Sequence, residues 1–194
     1  MYRPSTAFLS RTLSSLPLIT FQWILFVCIV YWTLGLEASA SKYLIYIVAC
    51  YLHQLVAVCI GLMIGSAVPS PQLGQVIAPL VGVIMIIFGG LVVNLDSLGV
   101  GIKWVQYISP ISNTVKILAQ NEFGGQVYPC VQQIKTPQGS KCIDLQGSDI
   151  LTQQGLDEPT ILICFIANIG ILVFFLVTGM LCFNRTTKPK LILK

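Results

Sequence analysis

Residues 43–95 read YLIYIVACYLHQLVAVCIGLMIGSAVPSPQLGQVIAPLVGVIMIIFGGLVVNL, 53 residues without one Asp, Glu, Lys or Arg. About 20 apolar residues cross the ~30 Å hydrocarbon core of a bilayer as a helix, so this run holds two crossings. The tetrapeptide Pro69-Ser70-Pro71-Gln72 near its middle supplies the turn between them. Two further charge-free runs, Thr12 to Leu36 and Thr160 to Asn184, are each long enough to span. The expected spans are Leu18 to Leu36, Tyr43 to Ala67, Leu73 to Val93 and Thr160 to Phe183. Composition agrees, with 55% hydrophobic and 9% charged residues against about 25% charged in soluble domains. The reading is an all-α membrane protein with four transmembrane helices.

Orientation follows from the cations, because short cytosolic flanks are enriched in Lys and Arg. Arg3 and Arg11 precede the first span, and Arg185, Lys188, Lys190 and Lys194 follow the last. Both termini are therefore expected in the cytosol, and the net charge of +4 reports topology rather than a nucleic-acid partner. Residues 1–17 then form a cytosolic amphipathic region and 18–95 three spans. Residues 96–159 form a re-entrant helical hairpin and a small extracellular loop subdomain, 160–184 the last span, and 185–194 a basic tail.

Within the outer segment, Leu98 to Leu118 is apolar but broken by Gly99, Gly101, Lys103, Ser109, Pro110 and Lys116. A re-entrant hairpin capping the bundle fits better than a continuous span, with Trp104 and Tyr107 in the interfacial belt. Five of the seven cysteines lie in apolar runs, whereas Cys130 and Cys142 lie in the polar outer loop. Those two can form a disulfide, which in so small a loop contributes about 3 kcal/mol by constraining the unfolded chain. No Cys/His spacing suggests a metal.

Catalytic signatures do not occur: there is no GxxxxGK[ST] phosphate loop, no GxSxG and no HExxH. The single histidine, His53, lies in the second span and reads as an imidazole hydrogen-bonded within the bundle. Gln22, Gln75, Asn94 and Asn168 read as interhelical hydrogen-bonding residues. Residues Tyr2 to Leu16 place Phe8, Leu9, Leu13 and Leu16 in a helical stripe beside Arg3 and Arg11, which suits a surface anchor or a contact for a cytosolic partner.

Several stretches together resemble a known family. They are Tyr2-Arg3-Pro4-Ser5, Phe88 to Leu95 (FGGLVVNL), Lys103 to Pro110 (KWVQYISP), Asn121-Glu122-Phe123, and Cys142 followed by Leu151 to Leu156 (LTQQGL). In this order and spacing the chain is similar to the membrane domain of ABCG-type ATP-binding cassette half-transporters. The resemblance implies the third to sixth helices of a six-helix domain of the ABC-2 type, with the nucleotide-binding domain, its ATP and its Mg outside this chain. It implies dimerisation with a second half-transporter, lipophilic or amphipathic substrates such as lipids, sterols and xenobiotics, efflux by alternating access, and a plasma-membrane location. By the same likeness Val83 and Ile86 are substrate-cavity wall positions, Leu91 and Val92 form a hydrophobic plug, and Tyr2, Arg3, Phe8 and Arg11 couple to the ATPase domain. The plug departs from the family's paired leucines, and the family exporter's third loop cysteine and loop glycan site are missing. A rival reading is a non-transporting four-span scaffold or regulator, such as a truncated subunit that pairs with full-length transporters. A channel is weaker, since no charged ring or carbonyl filter is visible.

Overall fold

The computed structural model describes residues 4–87, 89, 105–136 and 139–186, with side chains at 4–5, 105–106, 130–136 and 139–143 left out. Its helices are α1 (Pro4–Thr33), α2 (Ala40–Ala67), α3 (Pro71–Ile87), α4 (Val105–Ile108), α5 (Pro110–Phe123), α6 (Gly147–Gln154) and α7 (Ile161–Thr186). Strands β1 (Val127–Thr136) and β2 (Gly139–Gln146) pair antiparallel between α5 and α6, with an irregularity between Tyr128 and Gln132. The sequence reading contained no strand here; the hairpin is the form the polar outer loop takes.

Three described helices, α1, α2 and α7, are long and apolar enough to cross a membrane. At 17 residues, α3 rises about 26 Å and falls short of a full crossing within its described range. The stretch expected to complete it, residues 88–93, lies outside the described residues except for Gly89. The turn falls where the prolines put it. Val68 closes α2 by donating its N–H to Ile64 O, and Pro71, which lacks an N–H, opens α3.

One helix, α1, runs unbroken from Pro4 to Thr33 with Pro17 inside it, through the expected surface region and most of the first expected span. Hydroxyls explain how a polar segment stays helical here. Ser10, Thr12, Ser14 and Ser15 donate to Ala7 O, Phe8 O, Arg11 O and Thr12 O, so each is satisfied by its own helix. Further along, Trp23, Val27 and Tyr31 recur every four residues and form one buried ridge against Tyr46 of α2.

The core of the bundle is the packing of α2 on α7. Val56, Ile60 and Ile64 of α2 are buried against Ile171, Leu172 and Phe175 of α7 on one side and Ile77, Val81 and Met85 of α3 on another. A Cβ at Gly179 would lie 3.4 Å from both Met63 Cα and the Phe8 ring, so this glycine sets how closely α7 approaches α2. Where α5 enters, Ala49, Ile117 and Cys164 meet with no exposed surface. Here Ser109 caps α5, accepting from Ser112 N at 3.4 Å, with Pro110 following in the first turn. Leu151 and Leu156, around α6, cover the outer face of α5 at Val115, Ala119 and Phe123.

Unlike its neighbours, α5 is polar on its buried side: Ser112, Asn113, Thr114, Lys116 and Asn121 are all buried. Its Thr114 hydroxyl donates to Pro110 O at 2.8 Å, lies 3.2 Å from His53 Nδ1 of α2, and accepts from Asn168 Nδ2 of α7 at 3.2 Å. Asn113 Nδ2 is 3.4 Å from Asn168 Oδ1. The expectations for His53 and Asn168 as interhelical residues hold. Gln22 and Gln75, by contrast, are exposed on their helices and make no interhelical hydrogen bond among the described residues; Asn94 lies outside those residues. Asn168→Ala leaves Thr114 and Asn113 short of a partner in a water-poor interior. It is expected to lower the unfolding free energy by about 1–3 kcal/mol, read as a lower unfolding midpoint of the purified protein.

At the far end of α5 the α1–α2 linker is tied down by charge. Lys42 pairs with the Glu37 carboxylate and also donates to Glu122 O at 3.1 Å, while Glu122 Oε1 accepts from Glu37 N at 3.0 Å. Gln126 donates to the same Glu37 carboxylate. The Lys42 hydrogen bond holds the Glu37 carboxyl below its ordinary range. A lowered acid pKa stabilises the fold fully above the unfolded value of about 4.3 and loses that contribution as pH falls through the folded value. Thermal midpoints of the native protein should therefore drop more steeply below about pH 4 than those of Glu37→Gln, and the two curves should converge in acid.

Candidate functional site: an intramembrane path and a surface end of the bundle

Along α3, one face packs and the other is open. Ile77, Val81 and Met85 rest on α2, while Val76, Leu80, Val83 and Ile87 form an exposed apolar stripe at helical spacing. Val83 and Ile86, the expected cavity walls, are 53% and 44% exposed. They therefore face outward from the bundle. Leu91 and Val92, the expected plug, lie outside the described residues.

Behind α3 lies a partly open space the sequence did not announce. A cavity of about 180 Å³ sits between α2, α3 and α5, lined by His53, Ile60, Ile64, Val81, Met85 and Ile111 among others. Val83 and Ile86 do not line it. Its lining side chains are apolar except for His53, whose ring reaches Thr114. The Ser109 hydroxyl donates to Met85 O at 3.3 Å and ties the base of α5 to the end of α3 beside this space.

A second crevice, about 500 Å³, opens between α1 and α2 and is lined by Thr20, Trp23, Val27, Tyr43, Ile47 and Tyr51 among others. Its polar groups are matched: Thr20 and Tyr51 hydroxyls are 3.2 Å apart, and Cys28 Sγ is 3.3 Å from the Tyr43 hydroxyl. Sequence inspection placed Tyr43 and Tyr51 only as span residues, since neither alternation nor spacing distinguishes a lining tyrosine from a packed one.

Of the residues expected to couple to an ATPase domain, Tyr2 and Arg3 lie outside the described residues. Phe8 is buried inside the bundle, 5.6 Å from the Phe183 ring, whereas Arg11 is exposed one turn later. Cys130 lies in the irregular stretch of β1, and Cys142 pairs in register with Gln133; both side chains lie outside those described. Among the described residues no cluster of His, Cys, Asp and Glu is arranged to hold a metal.

Lys116, which the sequence marked only as a break in an apolar run, and Gln120, which it did not mark, emerge as site-shaping residues. Lys116 Nζ, 3% exposed, donates to Glu158 O at 2.8 Å and lies 5.7 Å over the Tyr107 ring. Gln120 Nε2 reaches Leu156 O, Asp157 O and Pro159 O at 2.7, 3.1 and 2.9 Å. Together they fix the turn that delivers the chain into α7. A Lys and a Gln four apart in a segment otherwise taken as a hairpin were the available signal.

The comparisons with known proteins bear on this bundle as a whole. A family model described as ABC-2 type transporter matches residues 1–123. The chain is 27% identical over 173 residues to "ABC transporter G family member 2" of Dictyostelium discoideum, covering 81% of this chain and 13% of that protein. It is 29% identical over 157 residues to "Broad substrate specificity ATP-binding cassette transporter ABCG2" of Bos taurus, covering 80% of this chain and 24% of that protein. "ABC transporter G family member 10" of Dictyostelium discoideum is 29% identical over 140 residues, 72% of this chain and 10% of that protein. The chain thus spans about a tenth to a quarter of the length of these relatives. With long apolar helices and a match over more than half its length, this integral membrane chain belongs to the ABC-2 type transporter family, among the ABCG-type membrane domains.

Proposed function

We propose that this chain is the membrane-spanning portion of an ATP-driven exporter of lipophilic or amphipathic molecules, acting by alternating access. The observation that carries this reading is the match to the ABC-2 transporter model together with α3, a helix with no buried residue and an open apolar stripe. Four spans, with α3 completing its crossing through residues 88–93, and cytosolic termini complete the topology. The net reaction is driven by a nucleotide-binding domain, which holds ATP and Mg, and requires a second half-transporter. The broad substrate specificity named for the bovine relative supports a wide lipophilic range.

In this mechanism Val83 and Ile86 face the cargo from α3, and Leu91 and Val92 above them form the constriction it must pass. Hydrophobic walls suit such cargo because lipophilic ligands are held by apolar area with few polar contacts. Tyr2 and Arg3, ahead of α1, meet the nucleotide-binding domain, with Arg11 further along at the membrane boundary, and Phe8 anchors these first turns to α7. A Cys130–Cys142 disulfide staples the outer hairpin. The plasma membrane is the proposed location.

Removing bulk from the constriction should uncouple passage from ATP hydrolysis. In the assembled transporter, Leu91→Ala is expected to change the transport rate, or the ratio of cargo moved to ATP hydrolysed, in a vesicle assay with purified protein. Unchanged transport and ATPase rates would remove Leu91 from the path.

A further inference from the structure

At the end of the bundle that carries Arg185, α1, α2 and α7 surround a cleft of about 310 Å³. Its walls are Phe8 of α1, Leu62 of α2 and Phe183 of α7, and Arg11 stands at its mouth. Gly61 and Gly65, one turn apart on α2, form its floor: a Cβ built at either meets nothing within 4 Å, so the groove is open along them. The Ser66 hydroxyl is already committed, donating to Met63 O at 2.9 Å and lying 3.3 Å from Gly179 O. Ser66 O accepts from the Thr186 hydroxyl at 3.0 Å. Among the described residues the Arg11 guanidinium has neither a hydrogen-bond nor an ion-pair partner. The cleft is thus apolar along its length and offers one unmatched cation at one end.

Position in the membrane narrows the ligand. Arg11 immediately precedes the charge-free run that starts at Thr12, and Arg185 follows the charge-free run that ends at Asn184. Both cations therefore stand where hydrocarbon gives way to headgroups. A guanidinium matches the fork of phosphate oxygens, and its charge attracts the anionic lipids of the cytosolic leaflet. A soluble phosphate would use Arg11 alone and leave the glycine floor and the two phenylalanine walls empty. We propose that this cleft binds one anionic phospholipid, its phosphate on Arg11 and an acyl chain along Gly61 and Gly65, resting against the packed pair of Phe8 and Phe183 rings. The orientation of the bundle is taken from the proposed topology. The site itself does not require the exporter reading.

Lipid retention by the purified, delipidated protein tests it directly, using native mass spectrometry with dioleoyl phosphatidylserine and dioleoyl phosphatidylcholine offered at equal concentration. The native protein should retain the serine lipid about fivefold over the choline lipid, the preference expected of one basic residue at the surface. Arg11→Gln should abolish that preference while Arg11→Lys keeps most of it, and Gly65→Leu should lower retention of both lipids by filling the groove. Equal retention of the two lipids by the native protein, or a preference undiminished in Arg11→Gln, overturns the proposal. Displacement of the serine lipid by excess inorganic phosphate also overturns it, in favour of a soluble-anion site. Because the readout is binding and not transport, loss of the exporter reading would leave this result standing, and the reverse also holds.

Discussion

Buried polarity on one short helix organises this bundle. Helix α5 lies among apolar helices, yet its buried residues include Asn113, Thr114, Lys116 and Asn121. In a medium without water each such group must find a partner or its desolvation cost stands unopposed. The partners come from four neighbours: His53 and Lys42 O of α2, Asn168 of α7, Met85 O of α3, reached from the Ser109 cap, and Glu158 O before α7. Four elements are thereby held in register by a helix of only 14 residues. Most of these bonds end on backbone carbonyls, so they fix chain geometry rather than depend on a matching side chain. Ser112 Oγ is the one buried side-chain atom of the described residues without a hydrogen-bond partner, and it too belongs to α5.

That arrangement divides the bundle into a fixed part and an attached part. Helices α2, α5 and α7 share the polar node and the fully buried Ala49, Ile117 and Cys164. Helix α3 shares no buried residue and rests on α2 by one face, with the Ser109–Met85 bond as a further tie. Alternating access needs some element to change neighbours while the rest keeps its packing. On the proposed reading α3 is that element, since moving it breaks few polar contacts and exposes surface already apolar on both sides. Its short connection through Val68 to Ser70 leaves the α2 end as a natural pivot.

How much of this was legible in the sequence depends on what signal each feature leaves. Charge-free runs gave α2, α7 and the turn before α3, because a bilayer tolerates so few alternatives. The helical stripe of Tyr2 to Leu16 was legible but its continuity with the span was not, since it runs through Pro17 and through Ser and Thr whose back-bonding to Ala7 O, Phe8 O, Arg11 O and Thr12 O has no sequence signal. His53 and Asn168 were legible as bundle residues because polar side chains in long apolar runs have few other uses. Gln22 and Gln75 carry the same signal and yet are exposed, since which face of a helix looks inward is settled by its neighbours. The β1–β2 hairpin left no clear trace, as the strand formers of β1 are interrupted by Pro129 and the Gln132-Gln133 pair, and β2 carries Ile143 as its one β-branched residue. The cavity behind α3 arises from three helices meeting and has no linear signature at all.

The long α1 connects the two ends of the bundle. Its first turns are pinned by Phe8 against Phe183 and Gly179, its middle forms the ridge on α2, and its last turn is held where the Tyr31 hydroxyl donates to Glu37 O. Glu37 in turn is bound through its N–H to Glu122 at the end of α5. A displacement of the Arg11 end can therefore reach the far linker through one hydrogen-bonded rod and two polar contacts. The weak point of that rod is Pro17, where the helix lacks one backbone hydrogen bond. In the proposed cycle, motion imposed at the cytosolic surface divides at this proline between bending α1 and shifting it as a unit. The buried Trp23–Val27–Tyr31 ridge opposes the shift, because sliding it past Tyr46 would open packed apolar surface. Bending at Pro17 leaves that ridge on α2 in place and moves the surface end at the expense of the Phe8 contact with Phe183 and Gly179 instead.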